Sequence, residues 1–383
     1  MKIAFDAKRA YQNNTGLGYY SRTLITSLAN AYPENEYFLC APKLTNRYSI
    51  AGFRNMHNIV PETMAAKKLK SLWRSKWVTE DLVASNINIY HGLSNEIPVC
   101  IRSSGIQTVV TIHDLIFERY PELYNWVDVH IYRNKFRYAC KNADHIIAIS
   151  EQTKKDIINF YNIPEESISV CYQSCNPAYG VLLPREEKER IRKLYSLPEN
   201  FLLSVGSIIE RKNLLNVCKA LSLIKKQEQI PLVVIGEGGP YKQQVKAYLA
   251  AQQLTEQVIF LSENTAAKSS SEFQSGEHFP AIYQLSSGLL YPSVFEGFGI
   301  PVLEALMSRV PVITSSLSCL PETGGDAAYY VNPYSPDEIA NAITTILNDK
   351  TLVTEMVRKG LEHADRFTPE KCAAEVMQVY LRL

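Results

Sequence analysis

Residues 291–307 read YPSVFEGFGIPVLEALM, and this segment marks the change from a buried strand to a helix. The small and apolar residues that end at Tyr291 predict a buried strand, which the following proline closes. Two glycines then permit a sharp turn. Pro301 suits the first helical position, and the apolar residues after it predict a helix with Glu304 in its first turn. The segment therefore predicts a strand, a tight loop and a helix, the repeating unit of an α/β fold.

Two carboxylates, Glu296 and Glu304, lie in this segment with seven residues between them. The unpaired N–H groups at a helix start carry partial positive charge and bind phosphate readily. A carboxylate only accepts hydrogen bonds, so Glu304 could accept from both hydroxyls of a ribose and Glu296 from hydroxyls of a sugar, and neither role requires titration. Either glutamate alone could equally complement the helix dipole or lie in a solvated loop. As a pair in this glycine and proline frame they predict a nucleotide-sugar site.

The rest of the chain repeats the same alternation. Short runs rich in β-branched residues alternate with helical patterns, which predicts parallel sheets built from βαβ units. The runs form two series separated by a charged helical stretch, 183–198, and the predicted domains are 1–190 and 191–367. The polar, serine-rich stretch 264–279 is predicted to be a loop. We expect strands at residues 2–5, 36–40, 87–91, 108–112, 143–149 and 168–171, and at 201–205, 231–235, 258–261, 288–291, 310–314 and 328–331.

Two cations follow the first strand of the second series. That strand is predicted to end in a turn at Gly206, and Arg211 and Lys212 stand just before the next helical run. Arg can bind phosphate oxygens in a bidentate pair, and Lys acts as a point charge. The alternative is a solvated helix start, but cations are unfavourable beside a helix N-terminus. Such cations would stabilise the charge on a leaving nucleoside diphosphate. Because no Asp-x-Asp occurs to bind a metal, we expect them to replace one.

The first series has its own candidates. Gly16 and Gly18 lie between the first strand and its helix, where backbone N–H groups could cap a diphosphate, although a glycine turn precedes many helices. His113 and Asp114 follow a predicted strand, at the carboxyl end where ligands bind in open α/β sheets. His91 is a second candidate on the same argument. A histidine in isolation is more often structural, so these assignments need support from the rest of the sequence.

That support comes from a resemblance to the family 4 (group 1) glycosyltransferases, and the resemblance covers nearly the whole chain. It implies a GT-B fold, in which two Rossmann-like domains face each other across a cleft, and transfer that retains the anomeric configuration. It also implies that the C-terminal domain binds most of the donor and that a C-terminal helix, 368–383, packs back on the first domain. The matching segments, in the family's order, are residues 15–20, 111–115, 143–150, 205–213, 296–305 and 320–327.

The resemblance also implies roles for individual residues. The family places a histidine in the context of His113 close to the transferred sugar, and Asp114 would steady that histidine or the following loop. The expected catalytic residues are His113, Arg211, Lys212 and Glu296. The expected donor-binding residues are Gly16, Gly18, Gly206, Phe298, Gly299 and Glu304. No metal or cofactor is expected.

The donor is narrowed by residues 111–122, which resemble mannosyl-transferring members and favour GDP-mannose, with UDP-sugars next. The acceptor would be a hydroxyl of a glycan or lipid-linked molecule, in polysaccharide or lipopolysaccharide assembly. Two alternatives stay open: a nucleotide-sugar epimerase or phosphorylase on the same fold, and a non-catalytic nucleotide-sugar-binding protein. A nicotinamide dehydrogenase is disfavoured because no GxGxxG follows the first strand.

Charge and hydropathy limit the partners. With 40 Lys and Arg against 39 Asp and Glu, the net charge of +1 disfavours a nucleic-acid binder. No apolar stretch reaches the ~18 residues of a membrane-spanning helix, so a cytoplasmic protein is expected. Residues 64–77 carry five cations, with Leu69, Leu72, Trp73 and Trp77 at helical spacing. This stretch could lie on the inner face of an anionic membrane, or the same stripe could face the core.

Overall fold

The protein's structure is a computed structural model, and it describes residues 1–13, 15–225 and 229–383. Contacts divide these residues into two compact units, Met1–Cys175 with Phe367–Leu383, and Asn176–Arg366. Each unit is built on one parallel sheet and its connecting helices, which confirms the predicted α/β class. No helix within these described ranges is long and apolar enough to cross a membrane.

The first unit contains a seven-stranded parallel sheet in the order β3-β2-β1-β4-β5-β6-β7. Its strands are β1 (Lys2–Asp6), β2 (Glu36–Cys40), β3 (Met56–Ile59), β4 (Ile89–Gly92), β5 (Gln107–Ile112), β6 (His145–Ala148) and β7 (Ile168–Val170). Its helices are α1 (Lys8–Gln12), α2 (Gly16–Ala31), α3 (Met64–Lys68), α4 (Lys70–Leu72), α5 (Val78–Ala84), α6 (Ile116–Arg119), α7 (Trp126–Asn142) and α8 (Glu151–Tyr161), with a π-helical turn at Trp73–Trp77.

The second unit contains a six-stranded parallel sheet in the order β10-β9-β8-β11-β12-β13. Its strands are β8 (Leu202–Val205), β9 (Leu232–Ile235), β10 (Val258–Phe260), β11 (Gly288–Tyr291), β12 (Val312–Ser315) and β13 (Ala328–Val331). Its helices are α9 (Arg185–Tyr195), α10 (Leu214–Leu223), α11 (Pro240–Ala251), α12 (Thr265–Ser269), α13 (Ser271–Ser275), α14 (Phe279–Leu285), α15 (Ile300–Met307), α16 (Leu320–Gly324), α17 (Pro336–Asn348) and α18 (Lys350–Ala364).

The segment between the two predicted series belongs to the second unit. Helix α9 packs on α14, with Ile191 and Tyr195 buried between them and their neighbours. Residues 176–190, which the sequence analysis assigns to the first domain, therefore group with the second unit. The physical reason is that the apolar face of this charged helix has its partner there.

The last helix, α19 (Pro369–Tyr380), lies with the first unit. It packs along α2, and its residues Ala373, Val376 and Met377 are buried in the same apolar core as β1 and β2. Tyr380 reaches the sheet itself, where its hydroxyl lies 2.6 Å from Nδ1 of His91.

Strand positions follow the sequence closely, because alternating buried runs identify the strands of a covered parallel sheet. The twelve predicted strands are confirmed to within two residues at each end. Strand β3 was not predicted. Its sequence, MHNI, has two exposed polar residues because it lies at the outer edge of the sheet, where one side needs no apolar cover.

The prediction of a loop at 264–279 was wrong. This stretch contains α12 and α13, and it leads into α14. Asn264 accepts hydrogen bonds from the N–H groups of Ala266 and Ala267, and Ser270 accepts one from the N–H of Phe273. The polar residues that suggested a loop are therefore helix caps.

The stretch 64–77 does not form the single helical stripe that the spacing suggested. It is divided among α3, α4 and the π-helical turn, which rotates successive side chains differently. Trp73 is buried at 2% exposure, whereas Leu69 and Leu72 are 51% and 39% exposed. One part of the apolar stripe thus faces the core and the other faces solvent.

In both sheets, the order in which successive strands are added changes direction once. In each, the first strand lies between the second and the fourth, as β2-β1-β4 and as β9-β8-β11. The connections from the first and fourth strands leave toward opposite sides, which opens a crevice between their carboxyl ends. Ligands of open α/β sheets bind in such crevices. A binding site is therefore expected at the carboxyl ends of β1 and β4 in the first sheet, and of β8 and β11 in the second.

Candidate active site

The crevice of the second sheet holds three of the charged residues singled out from the sequence. Arg211 and Lys212 lie in the turn after β8, and Glu296 lies in the loop after β11. Nη1 of Arg211 is 2.8 Å from Oε2 of Glu296, and Nζ of Lys212 is 2.6 Å from Oε1. All three side chains are largely buried, so a carboxylate and two cations share one enclosed volume.

The charges of this cluster are strongly coupled. Burial raises the pKa of Glu296, but Lys212 and Arg211 outweigh it and lower that pKa to about 2. Burial lowers the pKa of Lys212, an effect that Glu296 opposes and Arg211 reinforces. Nζ of Lys212 also donates to the hydroxyl of Tyr291 and lies 4.6 Å from the centre of its ring. The glutamate is therefore ionised at neutral pH and holds both cations in place.

Backbone contacts fix the loop that carries Glu296. Ser318 Oγ accepts from the N–H of Glu296 at 3.0 Å and donates to its carbonyl at 2.8 Å. Arg211 donates to the carbonyl of Phe295, and Thr323 Oγ1 donates to that of Phe298. With its main chain held at several points, the loop presents the carboxylate in one orientation.

Two glycines of this site adopt conformations that other residues avoid. Gly206 has φ +134° and lies against the side chain of Lys212, where an added Cβ would be 3.5 Å from Cε. Gly299 has φ +100° and is the N-cap of α15. A Cβ on Gly299 would lie 2.8 Å from Cδ2 of Leu320. Glycine is needed at Gly299 both for the turn and for the close approach of the neighbouring helix.

Glu304 lies one residue further into α15 than the sequence suggested. The helix begins at Ile300, directly after Gly299, so Pro301 is its second residue and Glu304 its fifth, beyond the first turn. Its Oε2 accepts a 2.7 Å hydrogen bond from the buried hydroxyl of Tyr283 on α14. Burial raises the pKa of Glu304 to about 7, against the effect of hydrogen bonds from Tyr283 and Tyr179. A carboxyl with this pKa changes its charge near neutral pH, although the proposed role does not require it to.

His113 lies at the end of β5 with both ring nitrogens engaged. Nε2 donates to the carbonyl of Leu93 at 2.9 Å, and Nδ1 lies 3.2 Å from Nε2 of Gln173. The edge of its ring meets Tyr20 at 4.8 Å between centroids. Burial lowers the pKa of His113 to about 4, so the ring is neutral. Asp114 accepts from the N–H of Ile116 and thereby steadies the following helix.

The structure also gives the surroundings of three other first-unit residues that were singled out from the sequence. His91 is fully buried, with its ring nitrogens 2.6 Å from the hydroxyl of Tyr380 and 2.7 Å from that of Thr111, so it is structural. Gly16 and Gly18 are not in a loop but are the first and third residues of α2. A Cβ on Gly18 would lie 2.1 Å from the carbonyl oxygen of Asn13, whereas Gly16 faces open space. Asn14, from the same predicted motif, lies outside the described residues.

Three residues that touch the site were not singled out from the sequence. Tyr283 binds Glu304, Tyr291 binds Lys212, and Ser318 binds the main chain of Glu296. Tyr291 directly precedes the motif and could have been noticed as a polar group ending a buried strand. Tyr283 and Ser318 come from other elements, and only folding brings them near.

Fold and site together describe an α/β protein with a charged cluster at the carboxyl ends of β8 and β11, and the comparisons specify its class. The Glycosyltransferase Family 4 model matches residues 15–178, and the Glycosyl transferases group 1 model matches residues 185–363. The two matches span most of the chain. The protein therefore belongs to the group 1 glycosyltransferases, with their GT-B fold, and the resemblance seen in the motifs is confirmed.

Individual relatives extend this result. O-antigen chain mannosyltransferase B of Escherichia coli is 26% identical over 396 aligned positions, covering 99% of each chain. O-antigen chain mannosyltransferase RfbU of Salmonella typhimurium is also 26% identical, over 88% of this chain and 89% of its own. Among solved structures, HepE of Anabaena in complex with UDP superposes with a TM-score of 0.73 at 15% identity over the whole of both chains. WaaG, a glycosyltransferase involved in lipopolysaccharide biosynthesis, superposes with a TM-score of 0.72 at 16% identity over 99% of both chains.

Proposed function

We propose that the protein transfers mannose from GDP-mannose to a hydroxyl of a glycan or lipid-linked acceptor, with retention of the anomeric configuration and without a metal. The observation that carries the proposal is the buried cluster of Arg211, Lys212 and Glu296 at the carboxyl ends of β8 and β11. The choice of mannose is supported by the names of the two O-antigen mannosyltransferases, which align with most or all of the chain.

The cluster suits a diphosphate because its two cations outnumber its single carboxylate. When the bond between sugar and diphosphate breaks, negative charge grows on the leaving oxygen. Arg211 and Lys212 then stabilise the transition state more than the bound donor, which is the requirement for catalysis. Positive side chains would supply the charge neutralisation for which other transferases use a metal.

Lys212 already pairs with Glu296, so to bind a diphosphate it would have to divide its hydrogen bonds between Glu296 and the ligand. The cavity beside Lys212 and Gly206 measures about 10 Å³, room for a single water and not for a phosphate group. We therefore expect a bound diphosphate to lie at the mouth of this cavity and to draw Nζ of Lys212 toward its oxygens. Tyr291 and Glu296 would hold the lysine until the donor arrives.

The two glutamates would bind the rings on either side of the diphosphate. A carboxylate has about four lone-pair positions, and Arg211 and Lys212 occupy two of those of Glu296, so sugar hydroxyls can use the others. Glu304, which already accepts hydrogen bonds from Tyr283 and Tyr179, would accept from the ribose through its remaining lone pairs. His113 would contact the sugar by exchanging one of its present bonds, to the Leu93 carbonyl or to Gln173.

The proposed acceptor and location rest on the names of the relatives and on the exposed part of 64–77. The names of the two O-antigen mannosyltransferases support assembly of bacterial surface polysaccharide, and our proposal puts the reaction at the cytoplasmic face of a membrane. The exposed part of 64–77 offers Met64 and Leu69, 71% and 51% exposed, beside exposed lysines. Salt-sensitive retention on anionic vesicles, lost in Met64→Ser/Leu69→Ser, would support docking there, and equal retention of the double variant would exclude it.

A ligand screen by thermal unfolding tests the donor site. A nucleotide sugar at 100 times its dissociation constant should stabilise the protein by ~2.7 kcal/mol. We expect GDP-mannose to do so, and Arg211→Ala and Glu304→Ala to abolish the shift, while the exposed Lys350→Ala keeps it. Full stabilisation of both site variants would refute the assignment. Preference for UDP-sugars would keep the site and change the donor, a choice to which the UDP complex of HepE lends weight.

Product analysis tests the reaction itself. NMR of the anomeric centre should show transferred mannose in the configuration it had in the donor. Release of a free epimer or a sugar 1-phosphate without an acceptor would instead indicate the epimerase or phosphorylase alternatives. Tight donor binding without hydrolysis or transfer in the presence of acceptor extracts would indicate a binding protein.

A further inference from the structure

The crevice of the first sheet holds a second charged cluster, to which the proposed function assigns no ligand. It consists of Asp6, Lys8, Arg9, Arg74 and Glu96, which we call the Asp6 cluster. Asp6 ends β1, Lys8 and Arg9 begin α1, and Glu96 lies in the segment after β4. Arg74 comes from the π-helical turn. The cluster thus occupies the ligand-binding position of its sheet, as the candidate active site does in the second sheet.

Within this cluster Arg74 is neutralised. Nε lies 3.1 Å from both oxygens of the buried Asp6, and Nη2 lies 2.5 Å from Oδ2. Nη1 bonds to Glu96 at 2.9 Å, and Nζ of Lys135 lies 3.3 Å from the other oxygen of Glu96. Although burial opposes it, Arg74 lowers the pKa of Asp6, so the carboxylate is ionised. Arg74 and Lys135 together balance Asp6 and Glu96, and all four groups have partners.

Lys8 and Arg9 therefore add two positive charges beyond those that the two carboxylates of the Asp6 cluster balance. Neither forms an ion pair within 4 Å in the described part of the chain, and the buried Nε of Arg9 has no hydrogen-bond partner there. Burial lowers the pKa of Lys8, and Arg74 and Arg9 lower it further, against Asp6 and Glu96. Like charges held together without a counter-ion raise the energy of the unliganded protein, and a bound anion would relieve this.

We propose that Lys8 and Arg9 bind a phosphate or diphosphate ester carried by the acceptor. A guanidinium and an ammonium at the start of one helix can both bond to the oxygens of such a group, and the Asp6–Arg74 pair holds the neighbouring wall of the crevice. Burial is the main cause of the lowered pKa of His113 at the end of β5, and the charge of Arg9 adds to it. The inference deepens the proposed function, since it rests on the first unit receiving the acceptor.

A binding experiment tests the anion site without any activity. The full chain with Arg211→Ala/Lys212→Ala, which disables the donor site, is titrated calorimetrically with inorganic pyrophosphate. We expect one binding event, weakened at least about tenfold when Lys8→Gln/Arg9→Gln is added and unchanged when the exposed Lys43→Gln is added instead. The site would be refuted if pyrophosphate did not bind, or if its affinity stayed the same when Lys8→Gln/Arg9→Gln was added. Circular dichroism and the melting temperature show whether each variant is folded.

A kinetic experiment distinguishes the acceptor's phosphate from the nucleotide's. A mannosyl diphosphate ester of a short lipid is compared with the matching neutral alkyl mannoside, at saturating donor. Lys8→Gln and Arg9→Gln should raise KM about tenfold or more for the diphosphate ester only, with donor affinity unchanged and partial rescue in Arg9→Lys. Equal losses for both acceptors, or weakened donor binding, would overturn the assignment to the acceptor. If the wild type transfers to neither, the proposed function has failed, and the pyrophosphate titration still decides the anion site.

Discussion

At the scale of single residues, the structure shows which charged side chains hold one another in place. Glu296 is held by two cations, and removing its charge leaves both of them buried without a counter-ion. Losing one partner of a buried ion pair costs about 3–5 kcal/mol. We therefore expect Glu296→Gln to lower the free energy of unfolding by an amount of this order and to abolish transfer. Urea unfolding and a transfer assay measure the two effects, with Glu355→Gln in an exposed ion pair as control.

The acid sensitivity of the same residue has a definite sign. The folded-state pKa of Glu296 is about 2, below its usual 4.5, so the stability it contributes is present above pH 4.5 and is lost as pH falls toward 2. Over this window the wild type should lose more unfolding free energy than Glu296→Gln. Parallel slopes for the two proteins would show that the ion cluster does not contribute.

Glu304 predicts a pH dependence of the opposite kind. Its folded-state pKa is raised to about 7, so between pH 4.5 and 7 the folded protein binds more protons than the unfolded chain, and this group's effect on stability becomes less favourable as pH rises. Donor affinity should increase over the same range, because the ribose hydroxyls need the ionised carboxylate. Calorimetric dissociation constants for the donor between pH 5.5 and 8.5, a range of about one and a half units around that pKa, measure this effect.

Tyr283 sets the midpoint of that profile. Tyr283→Phe removes a donor to the carboxylate, which raises the pKa of Glu304 and should shift the affinity profile to higher pH. The exposed Tyr334→Phe serves as control. A profile with the same midpoint in Tyr283→Phe and wild type would show that the tyrosine does not position the glutamate.

At the scale of elements, the start of α15 depends on one glycine. Gly299→Ala forces a side chain into a left-handed conformation and against Leu320. Strain of this kind costs about 1–3 kcal/mol, and it would displace the helix that carries Glu304. We expect lower stability and weaker donor binding, by thermal unfolding and calorimetry. Gly239→Ala, at another helix start with open space around it, should change neither. Equal effects of the two substitutions would argue against a special role for Gly299.

The helices and strands also show which local structures the sequence pattern predicts and which it does not. Strands β8 and β11 were predictable because apolar runs between turn residues occur in few other settings. Strand β3 was missed because an edge strand needs apolar residues on only one side. Residues 264–279 were misjudged because serine and asparagine serve both loops and helix caps, and the local sequence does not say which.

At the scale of the whole molecule, the chain ends by returning to the unit where it began. Tyr380 on α19 hydrogen-bonds the buried His91 of β4, which lies 289 residues earlier in the chain. Tyr380→Phe leaves a ring nitrogen of His91 without this partner and should cost about 1–3 kcal/mol. Denaturant unfolding should show the loss, with Tyr334→Phe as control. An unchanged midpoint would mean that apolar packing alone holds α19 in place.

The sequence by itself determined the α/β class, nearly all the strands and the family, because each of these depends on local patterns: apolar runs, glycine turns and charged residues at fixed spacing. It also singled out Arg211, Lys212, Glu296 and Glu304. Only the tertiary structure decided how these residues act on one another. The adjacency of β8 and β11 brings the cations onto Glu296, and α14 brings Tyr283 onto Glu304. Burial and charge at those contacts set one carboxyl's pKa near 2 and the other's near 7, and both depend on neighbours distant in sequence.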